Sequence, residues 1–388
     1  MTTVSSQGAL GNADLDEAEF ASLKDEVRAY VGEEGERWAE LIEREREVPR
    51  ALWDQLRDRG YLRLTAPREY GGREIPLARY LELLELFAMS HASLRMIVHV
   101  SNGIWRPLDS HASDEQRERF VLPQVRGEIR VAFALTEPGA GSGADIRCSV
   151  TRTGDTYYLS GEKHLITFGT IADYLLLFAR LEGSRGAEQT VALMLPPHGE
   201  GVQAIAMAET MGVRGTDHAH LIFDRAPVPV ANRLGEEGQG LQVALSGFLV
   251  PSRISLAMSC VGLAQRALEL AVAHAQQRET FGTKIARRQA VAFRLAEMAT
   301  DVEAARRLVL HAAQRWEQDH DAVAEASMAK LFASEMLQRV TDSALNVFGG
   351  IGYFSSAIER VYRDARAQRF EEGTVEIQKT TIARELLR

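Results

Sequence analysis

Two adjacent glutamates near the C-terminal end, Glu371 and Glu372, are the residues best suited by type and spacing to acid–base chemistry. They follow the aromatic Phe370 and directly precede Gly373. One carboxylate could therefore be desolvated and act as a base, while the glycine leaves the backbone open to a ligand. The structural alternative is a solvated first turn of a helix, where the helix dipole favours negative charge.

Other motifs offer weaker chemistry. Residues 139–144 fit the pattern GxGxxA after a predicted strand, but Pro138 interrupts the approach and a second strand follows instead of a helix. This context excludes a Rossmann turn and leaves a glycine-rich loop whose amides can approach a ligand. His218 and His220 could face one side of a strand, but no third ligand accompanies them, so we predict no metal site. The GxSxG, HExxH and Walker patterns are absent from the sequence.

Composition limits the class of protein. The chain has 388 residues, a net charge of -9 and no long basic block, which favours two or three domains and disfavours nucleic acid as a partner. Cys148 and Cys260 are too far apart for a CxxC metal site, and two cysteines make no disulfide framework. With no apolar stretch of 18 residues and no signal-like N-terminus, we expect a cytoplasmic protein with a disordered leader over residues 1–14.

The elements that must position the glutamates change in type along the chain. Apolar residues recur at helical spacing over 15–130, which predicts an N-terminal helical domain. Over 131–236, short apolar runs separated by turns predict strands in a compact antiparallel domain. Over 237–388, long helical stripes return and predict a four-helix bundle. The fold class is therefore α+β multidomain, in the order α, β, α.

Six segments taken in order resemble the acyl-CoA dehydrogenase family, from about Gly60 to the C-terminus. Any one of these segments is weak, but the ordered set is specific. They are residues 132–142 (AFALTEPGAGS), 161–167 (GEKHLIT), 211–216 (MGVRGT) with 223–229 (FDRAPVP), 278–282 (RETFG) with Gln289, 348–352 (FGGIG), and 372–374 (EGT).

The resemblance implies a helical domain, a β-barrel domain and a four-helix bundle, bound FAD, and a homo-oligomer, a dimer or a homotetramer, in which two subunits hold each flavin. Residues matching the family's flavin contacts within one subunit are Phe133, Leu135, Thr136, Gly141, Ser142, Leu165 and Thr167. Residues matching contacts to the neighbour's flavin are Arg278, Thr280, Phe281, Gln289, Asn346, Gly349 and Gly350, and Thr374 and Glu376 would close the site.

By the same resemblance, Glu372 is the catalytic base of an FAD-dependent α,β-dehydrogenation of an acyl thioester. It would take the α-proton while the β-hydride passes to flavin N5, and its backbone N–H would help to polarise the thioester carbonyl. Candidate substrate-binding residues are Arg95, Ser142, Arg253 and Gly373.

The chain departs from the family pattern at three informative positions. Leu165 replaces a tryptophan that shields the flavin, which weakens the expectation of an electron-transfer flavoprotein as electron acceptor. Gly143 replaces an aspartate near the CoA arm, so the thioester could be carried by CoA or by an acyl carrier protein. Glu371 replaces a tyrosine and places a second negative charge beside the base, which should raise the apparent pKa of the pair unless it points away.

Arg95 indicates the substrate. Its position in Ser93–Leu94–Arg95 resembles that of an arginine in family members that bind a distal carboxylate or act on carrier-protein thioesters, which favours a short or polar acyl group. A structural salt bridge explains the residue equally well. Two other functions stay open: a flavin oxidase or oxygenase on the same scaffold acting on a non-thioester substrate, and a non-catalytic helical interaction protein.

Overall fold

The N-terminal third of the chain is helical, as the spacing of its apolar residues predicts. The computed structural model describes residues 16–139, 145–184 and 189–387; the predicted leader at 1–14 lies outside these ranges. The helices are α1 (Glu17–Tyr30), α2 (Glu36–Glu45), α3 (Arg50–Asp58), α4 (Leu77–Ala88), α5 (Ala92–Asp109), α6 (Asp114–Gln116) and α7 (Leu122–Val125).

The middle of the chain forms one sheet of eight strands. They are β1 (Val131–Ala134), β2 (Ser149–Thr153), β3 (Thr156–Thr167), β4 (Tyr174–Leu181), β5 (Thr190–Leu195), β6 (Val202–Ala206), β7 (His218–Pro229) and β8 (Arg233–Leu234). The strand order is β6-β7-β3-β2-β4-β5-β8, and β1 pairs with β4.

The prediction of an antiparallel β-barrel was wrong about this sheet, which is mixed. Strands β1 and β2 both run parallel to β4, whereas the other ladders are antiparallel. The described strands form a path that ends at β6 and β8, and no ladder between these two closes it. Hairpin signals in a sequence report only neighbouring antiparallel strands. A parallel pair needs a long connection, which local patterns do not reveal.

The last third returns to long helices. They are α8 (Gly240–Ala244), α9 (Val250–Gln277), α10 (Gln289–Asp319), α11 (Val323–Phe348), α12 (Ala357–Ala367) and α13 (Val375–Leu386), with a short hairpin of β9 (Glu279–Thr280) and β10 (Thr283–Lys284) between α9 and α10. Helix α11 packs against α9, α10 and α13, so the predicted order of helical, sheet and helical domains is confirmed.

Two hydrophobic cores organise these elements. One is shared by the N-terminal and C-terminal helices, including Leu84 of α4 and Val261 of α9, and the other fills the sheet domain. Within the described residues, one helical segment, Gly240–Gln277, is long and apolar enough to cross a membrane, but 89% of its most apolar window is buried inside the protein. Its apolar character is thus explained by its burial, since α9 contributes to the core that the N-terminal and C-terminal helices share.

Candidate active site

The loop that carries Glu372 joins α12 to α13 and is held from below by the bundle. The buried Lys330 of α11 donates to the carbonyl oxygens of Arg369 at 3.0 Å and Gly373 at 2.7 Å. Gln378 of α13 donates to the carbonyl of Glu372 at 3.0 Å, and Arg253 of α9 donates to the same oxygen at 3.3 Å. Because these contacts fix the main chain on both sides, the position of the glutamate is set by three helices.

The backbone at this loop is in the left-handed region at two successive residues. Glu372 has φ 54° and Gly373 has φ 95°. The conformation is uncommon for a residue with a side chain and clusters at functional sites. A Cβ at Gly373 would lie 3.0 Å from Nε2 of Gln378 and 3.2 Å from Cγ2 of Ile377. Glycine is therefore required here by φ and by crowding, in addition to any need to leave room for a substrate.

The carboxyl group of Glu372 lies among polar and charged neighbours. Burial raises its pKa, and the charge of Glu371 raises it further. A side-chain hydrogen bond from Ser252 and the charges of Arg253 and Lys330 act in the opposite direction. A carboxyl group whose pKa is raised above its ordinary value is better matched to proton abstraction than an ordinary surface glutamate.

Glu371 turns away from Glu372 and faces the N-terminal domain. Its carboxylate pairs with Arg95 of α5, the shortest contact joining Nη2 of Arg95 to Oε2 of Glu371 at 3.3 Å. Arg95 is fully buried, and its Nε has no hydrogen-bond partner within the described residues. Gln368 also donates to Glu371, at 3.4 Å. The arginine proposed to bind substrate thus already faces a carboxylate of its own chain.

Strand β1 and the end of β3 bring together five of the residues predicted to contact the flavin. The Phe133 ring stacks on Phe248 with centroids 4.5 Å apart. Leu165 lies at an irregularity in the β3–β7 ladder with φ 56° and is 53% exposed, although it is a large apolar residue. The half-buried Thr136 and Thr167 and the buried Leu135 lie nearby in the same strand ends.

A buried ion pair fixes these strand ends to each other. Nζ of Lys163 donates to Oε1 of Glu137 at 2.7 Å and to the carbonyl of Leu135 at 2.9 Å. The other contacts of Glu137 are with the backbone N–H groups of Arg147 at 2.6 Å and Cys148 at 3.1 Å. The pair therefore ties β1 and β3 to Arg147 and Cys148, the two residues that precede β2.

The residues predicted to reach a neighbour's flavin lie on the surface, away from Glu372. Phe281, at the tip of the β9–β10 hairpin, is 98% exposed. Arg278, Gln289, Asn346, Gly349 and Gly350 are exposed too, and Thr280 is half-buried and accepts from Arg288. His274 stacks on Phe348 with centroids 4.2 Å apart, which sets the C-terminal end of α9 beside that of α11. Thr374 and Glu376 are exposed at the start of α13.

Four further residues considered in the sequence analysis are the glycine-rich pair Gly141 and Ser142 and the histidines His218 and His220. Gly141 and Ser142 lie outside the described residues. His220 contacts Glu162 at 2.9 Å and His218 contacts the carbonyl of Thr216 at 3.1 Å, so each of these rings has an ordinary partner.

Sequence reasoning missed two side chains behind the site. Neither His99 of α5 nor Ser252 of α9 is among the residues predicted from the sequence to form the site, yet the two side chains lie 2.9 Å apart between Arg95 and Glu372. The available signal was the four-residue spacing of Arg95 and His99, which places both on one face of a helix.

The chain is similar to known proteins along nearly its whole length. Family models described as acyl-CoA dehydrogenase N-terminal, middle and C-terminal domains match residues 17–128, 132–226 and 238–387. An acyl-CoA dehydrogenase of Bacillus subtilis is 35% identical, with 95% of this chain and 98% of that protein covered.

Two solved structures have the same fold. Butyryl-CoA dehydrogenase from Megasphaera elsdenii superposes with a TM-score of 0.88 at 29% identity, covering 99% of this chain and 100% of that one. The prolyl acyl carrier protein oxidase AnaB has a TM-score of 0.89 at 30% identity, covering 95% and 99%. The chain therefore belongs to the acyl-CoA dehydrogenase family, whose cofactor is FAD.

Proposed function

We propose that this protein is an α,β-dehydrogenase of acyl thioesters in which Glu372 is the base that removes the α-proton. The observation that carries the proposal is the half-buried carboxyl group of Glu372, whose pKa is raised first by burial, on a loop fixed by Lys330, Gln378 and Arg253. A positioned general base of this kind contributes about 10²–10⁴-fold to a proton transfer.

The strand ends fit an isoalloxazine ring. The exposed Leu165 offers an apolar face, the Phe133 ring lies close to the end of the same strands, and the hydroxyls of Thr136 and Thr167 offer hydrogen bonds at a ring edge. Bound FAD supplies the hydride acceptor, a chemistry that no protein side chain provides. Phe133, Leu135, Thr136, Leu165 and Thr167 would hold it, with Gly141 and Ser142 contributing from outside the described residues.

The chain's own part in the reaction is to polarise the thioester and to hold the proton acceptor. Within the described residues, no group accepts from the backbone N–H of Glu372, so this N–H is free to donate to a thioester carbonyl. The α-proton moves to the Glu372 carboxylate and the β-hydride leaves with its electron pair, so that the bond between the two carbons becomes double.

A second subunit completes the flavin site in this proposal. The ring of Phe281 is 98% exposed, and Arg278, Gln289, Asn346, Gly349 and Gly350 are exposed too, so these residues are available to a neighbouring subunit. Around Gly349 and Gly350, no described atom lies within 4 Å of where a Cβ would be, so their backbone is open to a ligand. We infer a homo-oligomer, with the tetramer as the expected form.

The acyl group is proposed to be short or polar, carried by CoA or by an acyl carrier protein. The polar groups near Glu372, namely Arg95, Glu371 and Arg253, favour this over a long apolar chain. The structure neighbours include a dehydrogenase of a short acyl-CoA and an oxidase of a prolyl thioester on a carrier protein. The second of these keeps open an oxidase that passes its electrons to oxygen, as the exposed Leu165 would allow.

The test is Glu372→Gln against Glu371→Gln, with anaerobic bleaching of the flavin by a panel of CoA and carrier-protein thioesters. We expect Glu372→Gln to retain FAD and to lose about 10²–10⁴-fold in the rate of flavin reduction. If Glu371→Gln causes that loss and Glu372→Gln is mild, the base is misassigned. If no thioester bleaches the wild-type flavin while another substrate drives rapid oxygen consumption, the oxidase is the function. A colourless protein that FAD cannot reconstitute would reject both.

A further inference from the structure

Behind Glu372, two buried side chains connect the catalytic loop to Arg95. His99 of α5 and Ser252 at the start of α9 are both buried, and Nε2 of His99 lies 2.9 Å from Oγ of Ser252. On the other side of the ring, Nη1 of Arg95 lies 3.4 Å from Nδ1 of His99. His99 has no assigned role in the proton abstraction by Glu372.

The direction of each hydrogen bond follows from the chemistry of the groups. A guanidinium can only donate, so Nδ1 of His99 must accept. The single ring proton of a neutral imidazole is then on Nε2, which donates to the Ser252 hydroxyl. Burial and the Arg95 charge lower the pKa of His99 to about 3, so the ring is neutral across the physiological range.

The hydrogen bond from His99 determines that the Ser252 hydroxyl donates to Glu372. Arg253, the next residue of α9, donates to the carbonyl oxygen of Glu372 at 3.3 Å, which places the start of this helix beside the proposed base. Since the Ser252 oxygen accepts from His99, its one hydroxyl proton is free to donate to the carboxylate of Glu372, and such a bond lowers the pKa of that group. A hydrogen bond that favours the charged form opposes the effect of burial. The carboxylate is thereby held ready to accept a proton and cannot turn freely.

We propose that Arg95, His99 and Ser252 are positioning residues that form a one-way chain of hydrogen bonds, with Arg95 selecting the tautomer of His99 that lets Ser252 donate to Glu372. The inference rests on the proposed role of Glu372 as the base. It also gives Arg95 a role that does not depend on a substrate carboxylate, because the guanidinium acts through the ring of His99 while Glu371 neutralises its charge.

Other charged groups around Glu372 also affect its pKa. Arg253 of α9 and Lys330 of α11 also favour the ionised form of Glu372, whereas the neighbouring Glu371 disfavours it. His99 faces only Arg95 among the charged groups that perturb its pKa. Loss of the Ser252 donor should therefore raise the pKa of Glu372 without removing the positive charges of Arg253 and Lys330.

The experiment compares two matched pairs of variants in the FAD-bound enzyme. His99→Leu and Ser252→Ala interrupt the series of hydrogen bonds, whereas His99→Gln and Ser252→Thr keep a donor and an acceptor in the same places. The pH dependence of the flavin-reduction rate is measured for each. We expect the breaking variants to move the midpoint upward by about one unit, which means a roughly tenfold loss at a pH below the midpoint. The conservative partners should restore most of it.

Two readouts do not depend on turnover. Carboxyl titration of glutamate-labelled enzyme by ¹³C NMR, assigned with Glu372→Gln, reports the pKa of Glu372 directly. Side-chain ¹⁵N NMR of histidine-labelled enzyme reports the tautomer of His99. The proposal expects an Nε2–H tautomer in wild type and a raised Glu372 midpoint in His99→Leu and Ser252→Ala.

The outcomes separate this proposal from the proposed function. The proposed series of hydrogen bonds is rejected, even if the enzyme is active, by either of two results. One is a His99 ring that is protonated or carries its proton on Nδ1, and the other is a pKa of Glu372 that is unchanged in both His99→Leu and Ser252→Ala. A rate loss equal at every pH, not rescued by His99→Gln or Ser252→Thr, assigns the residues to packing alone and also overturns it. Failure of every thioester to reduce the flavin rejects the proposed function. The NMR titration still tests whether the hydrogen bonds from Arg95 to Glu372 exist. If His99→Leu loses FAD, Ser252→Ala carries the comparison.

Discussion

Two buried ion pairs, one in the sheet domain and one beside Glu372, the proposed base, differ in how completely hydrogen bonds surround them. In the first, Glu137 is 3% exposed and accepts from Lys163 and from two backbone N–H groups at 2.6–3.1 Å. In the second, Glu371 is 21% exposed, lies 3.3 Å or more from Arg95, and leaves the Arg95 Nε without a partner.

The difference separates a structural clamp from an adaptable site. A buried charge is tolerated when its partner and further hydrogen bonds replace the water that it has lost, as around Glu137. The looser pair leaves its carboxylate open to water, which suits a place where ligands enter and charge changes during turnover. Its more loosely held ions should therefore contribute less to folding.

The largest effect is expected from the clamp. Glu137→Gln leaves the Lys163 ammonium buried without its countercharge, and breaking such a pair costs about 3–5 kcal/mol of the free energy of unfolding. Because the pair fixes the strand ends that are proposed to hold the flavin, we expect FAD content to fall as well. Denaturant unfolding and the visible spectrum measure both.

A matched control is Glu236→Gln, which removes a carboxylate 78% exposed and paired with Arg233. An exposed pair contributes about 0–1 kcal/mol, so its loss should be small. The double variant Glu137→Met with Lys163→Met should stay destabilised, because the N–H groups of Arg147 and Cys148 lose their acceptor. Full recovery in the double variant would contradict the clamp.

A third ionic cluster is intermediate between these two ion pairs in its expected contribution to stability. It lies where the N-terminal helices, the sheet domain and the C-terminal helices meet. Glu43 of α2 accepts from Arg363 of α12 at 2.8 Å and from Arg214 at 3.3 Å, and its Oε1 lies 3.4 Å from Nε2 of His91. Glu43, His91 and Asp364 could hold a metal by spacing, but no ion is invoked because their atoms already have protein partners.

The pH dependence of stability tests this cluster. Burial alone would raise the pKa of Glu43, but hydrogen bonds from His91 and Arg363 and the nearby positive charges bring it to about 2. A carboxylate with a depressed folded-state pKa stabilises the protein above its unfolded pKa, and this contribution of about 2–3 kcal/mol is lost as pH falls from about 4.5 toward 2. Glu43→Gln should flatten the stability curve in that window. An unchanged acid limb of the curve would show that the cluster contributes little.

The fold could be predicted further than the site. Periodicity of apolar residues predicted the order of helical, sheet and helical parts, because burial acts on one face of each element. It did not predict that β1 and β2 run parallel to β4, since alternation along a strand says nothing about its partner. A clamp such as Lys163–Glu137 is likewise invisible locally, because its residues lie 26 positions apart.

At the site, the resemblance pointed to Glu372 but the geometry of its neighbours required the structure. Arg95 and Glu371 were each noted as charges out of place, and they are partners separated by 276 positions. The expectation that Glu371 should perturb the base unless it points away was partly right. It points toward Arg95, yet its charge still raises the pKa of Glu372, less than burial does.

Among the three buried or partly buried ionic sites, the smallest effect on stability is expected from the pair of Arg95 and Glu371. Glu371→Gln should cost only about 1–2 kcal/mol, since the carboxylate is one-fifth exposed and its contacts with Arg95 are long. The double variant Arg95→Met with Glu371→Met should recover more stability than its counterpart at Glu137, because no backbone N–H depends on Glu371 among the described residues and the remaining loss is the donor to Nδ1 of His99.

The same Glu371→Gln change should alter catalysis in a defined direction. Removing a negative charge beside Glu372 lowers the pKa of the base, so the pH midpoint of flavin reduction should move downward. The Ser252→Ala change moves it upward, so the two variants bracket the wild type in one set of pH–rate curves. A midpoint that rises in Glu371→Gln would mean that this carboxylate supports the base through Arg95 more than it repels it, and the distinction between clamp and adaptable site would fail.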